Sequence, residues 1–296
     1  MSTTAAGPQG MDWGRRYGPA LLLLAPLLGF LTVFYIIPFA GMVGESLTYW
    51  SGDPDPGTTP TLYQYAKTFE SNRALGAILR TFEISAYTVV ITFLISYPIA
   101  LWLLFAGRRT RVLVLLITFV SLGSSLIVRN YGWLVVLADA GPVNIVLQRL
   151  GLIEFPLRLT YTKGAVITAL VHYAMPFMIL PIYGSLLRIP QSYWDASKSL
   201  GGGDFRTLWR IILPLSMPGV FGGTMLVFAI SMSAFVTPLM LGSPSTAMVS
   251  QVAAEQLLVQ LNFAWGSAII MALTVMTLVV VFLYALLIRK VFRVDV

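Results

Sequence analysis

Pro190-Gln191-Ser192-Tyr193-Trp194-Asp195-Ala196-Ser197-Lys198-Ser199-Leu200-Gly201-Gly202-Gly203-Asp204-Phe205-Arg206-Thr207-Leu208-Trp209-Arg210-Ile211-Ile212-Leu213-Pro214 is a glycine-punctuated stretch set between two long apolar runs. Pro190 can open a short helix, the glycine triplet ends it, and Asp204 is placed to cap a second helix by accepting a bond from a free amide. The expected local structure is helix, glycine break, helix. On the second helix Phe205, Leu208, Trp209 and Ile212 fall at i, i+3, i+4 and i+7, one apolar stripe, while Arg206 and Arg210 share another face. On the first, Ala196, Ser197 and Gly201 leave a low-relief surface that another protein's side chains can approach closely. Periodicity alone leaves two readings open: a solvated hairpin, or a docking element lying across one face of the molecule.

The surroundings of this hairpin fix the class. Of 296 residues, 57% are apolar and 10% charged, and the mean hydropathy is +0.82. Soluble chains carry roughly 45–50% apolar and about 25% charged residues, so this is an integral membrane protein. Six apolar runs, 19–45, 77–106, 112–138, 161–187, 214–241 and 265–288, are each long enough to cross a bilayer at roughly 20 residues per span. Arg129-Asn130 interrupts the third. Pro19 to Ile37 is longer than a signal-peptide core and is followed by no convincing small-x-small cleavage site, so it is expected to remain as the first span. The fold expected is all-α and polytopic: six transmembrane helices with both termini cytoplasmic, a tail at 1–18, a membrane domain at 19–290 and a tail at 291–296.

The net charge of +7 resolves along the chain. With a cytoplasmic amino terminus, 12 of the 19 basic residues fall inside for a net of +8, and the opposite side carries −1. That asymmetry is the positive-inside pattern, so the excess of basic residues is a topology signal and not the footprint of a nucleic acid. Prolines 26, 38, 98, 176, 181, 218 and 238 lie in or at the ends of the runs. Each removes a backbone donor, which hydrocarbon tolerates only where neighbouring helices or a cavity satisfy the freed carbonyl. Several kinked helices suit a moving bundle better than a rigid anchor.

Cysteine is absent and histidine occurs once, at His172, which removes disulfides, thiol nucleophiles and histidine-rich metal sites from consideration. There is no G-x-x-x-x-G-K-[ST] phosphate loop, and Gly201 to Gly203 lacks both a preceding strand and a following Lys-Ser/Thr. Nor is there a G-x-S-x-G nucleophile. No catalytic residue, metal ligand or cofactor is expected on this chain.

Ionisable groups at membrane depth are costly and default to functional hypotheses. Candidate pathway residues are Glu83, Arg129, Tyr131, Tyr173 and Glu255. Glu83 stands three residues from Arg80, so a local helix pair is its simplest role. Glu255 is either a solvated loop charge or a contact for a cationic solute. Arg129 requires an acid or carbonyls to offset its burial. His172, mid-span, is expected to be a lone hydrogen-bonded histidine. Trp102, Trp133, Tyr173 and Tyr183 are interface or core aromatics to which no cation cage is assigned. The segments 51–60, 61–73 (helix-like) and 139–160 are extracytoplasmic.

Asp195-Ala196-Ser197, three residues, Gly201, nine residues and then Ile211-Ile212-Leu213-Pro214 resembles the EAA loop of binding-protein-dependent ABC transporter permeases. The family pattern is Glu-Ala-Ala, three residues, Gly, then a stretch ending in Ile/Val-x-Leu-Pro. Asp195 and Ser197 depart from it while keeping charge sign and small size. The resemblance spans about residues 75–285. Leu126 to Trp133, Ala174 to Tyr183 and Leu213 to Gly219 make the chain look most like the spermidine/putrescine class. The resemblance implies a type I importer-like subunit of the bacterial inner membrane. It implies as partners a second permease, a paralogue, two cytoplasmic ATPase subunits that hold the ATP and Mg, and a periplasmic solute-binding protein. It makes 188–213 the loop that couples to the ATPase, with Asp195, Ala196, Ser197, Gly201, Gly202, Asp204, Phe205 and Arg206 as its site residues. The expected cargo is a polyamine, with an amino acid or related small solute as the alternative. An ion-coupled secondary transporter would show acids mid-span and an inverted repeat, and neither is clear in this sequence.

Overall fold

A computed structural model describes residues 23–53 and 59–292. The expected tail at 1–18, the first four residues of the first run, the loop 54–58 and residues 293–296 lie outside the described residues. Among the described residues every regular element is helical. They are α1 (Leu23–Glu45), α2 (Tyr63–Glu70), α3 (Asn72–Phe105), α4 (Arg108–Gly123), α5 (Leu126–Leu137), α6 (Pro142–Arg149), α7 (Lys163–Leu186), α8 (Ser192–Ser199), α9 (Asp204–Met232), α10 (Val236–Leu241), α11 (Val249–Ala254) and α12 (Phe263–Phe292). Helices α1, α3, α7, α9 and α12 are each long and apolar enough to span a membrane, and α4 with the segment starting at Leu126 gives a sixth if that bent pair counts as one span.

Two of the apolar runs are not single straight helices. The third breaks at Ser124-Ser125, where both residues leave the helical conformation and the path bends by 105°. The fifth stops at Met232 and restarts as α10 after Ser233-Ala234-Phe235. The last helix runs to Phe292, two residues into the expected carboxy-terminal tail. The segments expected to be extracytoplasmic carry short helices, α2 within 61–73 and α6 within 139–160.

Helix ends and irregularities follow from named residues. Ser71 and Thr162 cap α3 and α7 by accepting from the amides of Ala74 and Ala165. Arg111 donates to the carbonyls of Leu103, Leu104 and Ala106, a cation closing the carboxy-terminal end of α3. Pro38 and Pro214 are each preceded by a π turn, Thr32–Ile36 and Leu208–Ile212. A proline cannot donate to the carbonyl four residues back, and the ladder slips there to i→i−5 bonds, from Ile37 to Thr32 and from Leu213 to Leu208.

α7 packs chiefly against α3 and α9, and these three helices enclose the main core of Tyr97, Leu103, Met178, Ile182, Leu186, Ile212 and Val220. Close approach depends on small residues. A Cβ at Gly219 would lie 2.4 Å from the Pro181 carbonyl oxygen, and one at Gly223 would lie 2.7 Å from Met178 Sδ, the small-xxx-small contact by which membrane helices associate. On α3 the fully buried Thr81, Ser85, Thr88, Thr92 and Ser96 make a matching low-relief stripe. α1 buries none of its apolar face within this chain and meets the rest mainly along Ile37–Glu45, against α12.

Outside the apolar spans, Asp53 ties the first outer segment down. Its carboxylate accepts from the Trp50 amide at 2.9 Å, Gln64 Nε2 at 2.6 Å and Lys67 Nζ at 2.8 Å, and Lys67 in turn lies 4.9 Å from the Trp265 ring centre. Burial alone would raise the Asp53 pKa, but the bonds from Lys67, the Trp50 amide and Gln64, with the Lys67 charge, outweigh it and hold the carboxyl below its ordinary value.

Candidate functional site

The hairpin between α7 and α9 forms the helix, glycine break and helix expected of it. After α8, the Gly201 amide donates to the Lys198 carbonyl and the Gly202 amide to the Ser197 carbonyl, both at 2.9 Å. This is a Schellman closure with Gly201 at φ +75°. At Gly202 a Cβ would sit 2.5 Å from Ser197 Oγ, so the turn closes only around a bare backbone.

Three expectations for the hairpin are corrected. Asp204 does not cap α9: Gly203 holds the cap position, no side chain caps it, and Asp204 is the first helical residue, 3.6 Å from Lys198 in an exposed pair. Ser197 is not part of an outer low-relief surface, because it faces inward and its hydroxyl meets that of Thr207 at 2.6 Å, locking α8 to α9. The stripe on α9 does not share one environment. Ile212 is fully buried, whereas Phe205 and Trp209 are 77% and 56% exposed. The π turn at Leu208–Ile212 lengthens one turn and rotates the residues after it relative to those before it.

The outer face of the hairpin therefore presents Ala196, Leu200, Gly201, Phe205, Arg206 and Trp209. Its inner face is anchored at several points. Trp194 is buried and sits edge-on against Phe105 at the end of α3, with ring centres 5.5 Å apart. Thr207 also donates back to the Gly203 carbonyl at 3.1 Å. A cleft of about 500 Å³, lined by residues including Leu101, Phe105, Trp194, Asp204 and Phe205, opens beside it. The hairpin is thus bonded to α9 and packed on the end of α3.

At the opposite end the two helix breaks meet. α10 packs against α5 and α7, and the buried Asn130 amide and Thr237 hydroxyl face one another at 3.2–3.3 Å. Between the breaks lies a cavity of about 290 Å³ whose walls include Leu126, Tyr173, Ser233, Phe235 and Thr237. Discontinuous helices around a cavity are how membrane transporters place exposed backbone against a solute.

The candidate pathway residues are dispersed. Tyr173 lines the inner cavity. Arg129 does not: it donates to the Ser121 carbonyl and the Ser124 hydroxyl across the α4–α5 break, and its guanidinium lies 5.3 Å from the Tyr173 ring centre. Carbonyls and an aromatic face are thus what offset its cost. Tyr131 is exposed on the far side of α5. Glu83 pairs with Lys163 on α7 at 2.7 Å, not with Arg80, whose Nε donates to the Ala247 carbonyl at 3.0 Å. Glu255 pairs with Arg73 beside an outer cleft. His172 accepts from Trp133 Nε1 at 3.2 Å and is a hydrogen-bonded histidine, as expected.

The model of the family described as binding-protein-dependent transport system inner membrane component matches residues 85–293. The chain belongs to this family. The permease is 30% identical over 263 residues to the spermidine/putrescine transport system permease protein PotB of Haemophilus influenzae, covering 89% of this chain and 92% of that one. It is 26% identical to the Escherichia coli protein of the same name over 253 residues, covering 86% and 92%. A chain in the crystal structure of a bacterial alginate ABC transporter, in complex with an alginate pentasaccharide-bound periplasmic protein, shares its fold. The TM-score is 0.80 at 17% identity, over 97% of this chain and 100% of that one. The permease is a multi-pass inner-membrane transport subunit.

Sequence reasoning did not reach Phe235, Thr237 or Trp194 as site residues. Clusters of small polar residues at Ser121 to Ser125 and Ser231 to Ser233 are the available signal for the breaks, because serine competes with helical backbone bonding.

Proposed function

We propose that this permease is one of two membrane subunits of an importer for polyamines of the spermidine/putrescine type. A periplasmic binding protein delivers the cargo, and two separate cytoplasmic ATPase subunits power transport. The observation that carries the reading is the likeness to spermidine/putrescine permeases along nearly the whole of both chains. The second membrane subunit is a paralogue of this one, and ATP and Mg bind the ATPases. Both ends of the chain are cytoplasmic, in keeping with six crossings and the charge asymmetry.

In this reading the hairpin docks in the ATPase through Ala196, Gly201, Phe205, Arg206 and their exposed neighbours, with Asp195 and Asp204 at its edges, while Ser197 and Gly202 hold its shape. ATP-driven closure moves the hairpin, and α3 and α9 follow because Trp194 and Thr207 tie them to it. Those helices border the broken segments, whose cavity opens alternately to either side. Tyr173 contributes to the pathway; Arg129 braces the α4–α5 break.

The test is purification and uptake. The assembled importer in proteoliposomes is expected to take up spermidine or putrescine only with ATP and the loaded binding protein. Ala196→Glu, which puts a bulky charge on the outer face of α8, should abolish co-purification of the ATPase. Uptake that persists without any ATPase, or import confined to amino acids, refutes the reading.

A further inference from the structure

An outer cleft of about 470 Å³ lies between the start of α3 and the α10–α11 region. Its walls are mostly apolar, with Phe235, Leu239, Leu258 and Val259 prominent, and among the described residues Arg73 and Glu255 are the only charged ones lining it. These two are paired with each other across 182 positions of sequence, and the pair is open to water, the side chains being 58% and 34% exposed. A solvent-exposed pair adds little stability and exchanges partners readily.

The backbone from Glu255 forms the last turn of the helix that begins as α11, and Leu261 at φ +55° with the Asn262 amide donating to the Gln256 carbonyl at 2.8 Å closes that helix end beside the cleft. Of the three π turns among the described residues, two precede Pro38 and Pro214 and are explained by them. The third, Glu255–Val259, has no proline after it and is closed by the Gln260 amide donating to the Glu255 carbonyl at 3.0 Å. Phe235, at the break between α9 and α10, lines both this cleft and the cavity between the two helix breaks.

We propose that this cleft is a cation subsite in which Glu255 receives one ammonium group of an aliphatic amine, displacing the Arg73 guanidinium that occupies it when empty. Arg73 is then a tethered competitor of the cargo. The walls suit such a cargo: one carboxylate for the ammonium, and Phe235, Leu239 and Leu258 for the methylene chain, with the ring of Phe235 also offering its face to a cation. The subsite rests on the polyamine reading above and adds to it a place and an exchange partner.

Neutralising the two residues must act in opposite directions, which a merely structural ion pair does not allow. The experiment is uptake of radiolabelled putrescine by the complete importer in proteoliposomes, titrated with loaded binding protein. Glu255→Gln is expected to lower the maximal rate about fivefold, the upper end for an exposed charge pair, with the KM for loaded binding protein unchanged. Arg73→Gln is expected to match or exceed the wild-type rate. Equal losses in both variants, or a change confined to that KM, overturn the proposal while leaving polyamine import intact. A wild-type importer that moves no polyamine removes the reading and the subsite together. Should Glu255→Gln fail to assemble, the absence of native cysteine allows a second measurement. Alkylation of an Arg73→Cys importer should be slowed by saturating putrescine, and an unchanged rate overturns the proposal.

Discussion

Gly219 and Gly222 lie three residues apart on the same helix, and the structure assigns them opposite responses to one added methyl group. At Gly219 the new Cβ would stand 2.4 Å from the Pro181 carbonyl oxygen, 2.5 Å from Ser185 Cβ and 3.0 Å from Ile182 Cα, whereas ordinary contact begins at 3.4 Å. Two of those three atoms are backbone, so relief requires α9 to retreat from α7 by about 1 Å, and overpacking of this kind costs about 1–3 kcal/mol. Alanine returns about 1 kcal/mol through helix propensity. The net for Gly219→Ala is a loss of up to about 2 kcal/mol. At Gly222 the Cβ would meet only Pro181 Cβ, at 4.0 Å, so Gly222→Ala keeps the propensity gain and is stabilising or neutral. Denaturation of the two variants in one mild detergent, followed by circular dichroism, should separate them by about 1–3 kcal/mol, the overpacking cost alone. Because α7 and α9 flank the hairpin, Gly219→Ala should also reduce ATP-driven uptake. Coincident unfolding curves would refute the claim that α7 and α9 touch through bare backbone.

Three further outcomes are expected. Gly202→Ala should strain the Schellman turn and the Ser197–Thr207 bond, leaving a folded membrane domain whose ATP-driven uptake is lost; wild-type coupling would contradict the hairpin geometry. Asn130→Ala strands the buried Thr237 hydroxyl and should destabilise by about 1–3 kcal/mol, whereas in a double-mutant cycle Thr237→Val should recover part of that loss; strict additivity would show that the pair is not coupled. The Asp53 carboxyl titrates below its ordinary value of 3.8. Its contribution to stability is therefore complete above that pH and is lost as pH falls through the lower folded value, so acid titration by tryptophan fluorescence should show a step below pH 3.8 that Asp53→Asn lacks.

How much of this could be read from the sequence depended on the range of the physics involved. The six runs follow from composition over some 20 residues, and the hairpin follows from glycines whose backbone freedom is a local property, so both were legible. The breaks at Ser124-Ser125 and Ser233-Ala234-Phe235 were not, because hydropathy is the same on either side of a residue that leaves the helix. Glu83 was assigned to the neighbour three residues away; its partner is Lys163, 80 positions on, and only the packing of α3 on α7 brings the two together. Ser197 was misplaced for a similar reason: a small residue is equally suited to an outer contact surface and to a buried lock, and Thr207 decides which.

The prolines separate cause from function in the irregular backbone. Where Pro38 and Pro214 cannot donate, a slipped turn upstream is the cheapest way for the helix to continue, and such a turn needs no role in transport. The same distortion at Glu255–Val259 has no proline after it and is instead the terminal turn of its helix, closed by Leu261 at φ +55° and by the Asn262 amide bond to the Gln256 carbonyl. Beside it are an exposed carboxylate, an arginine from α3 and a cleft that shares Phe235 with the inner cavity. A helix end that holds a charge beside a cleft, kept by a capping turn and not by a continuing ladder, is where the backbone is expected to give way when that charge changes partner.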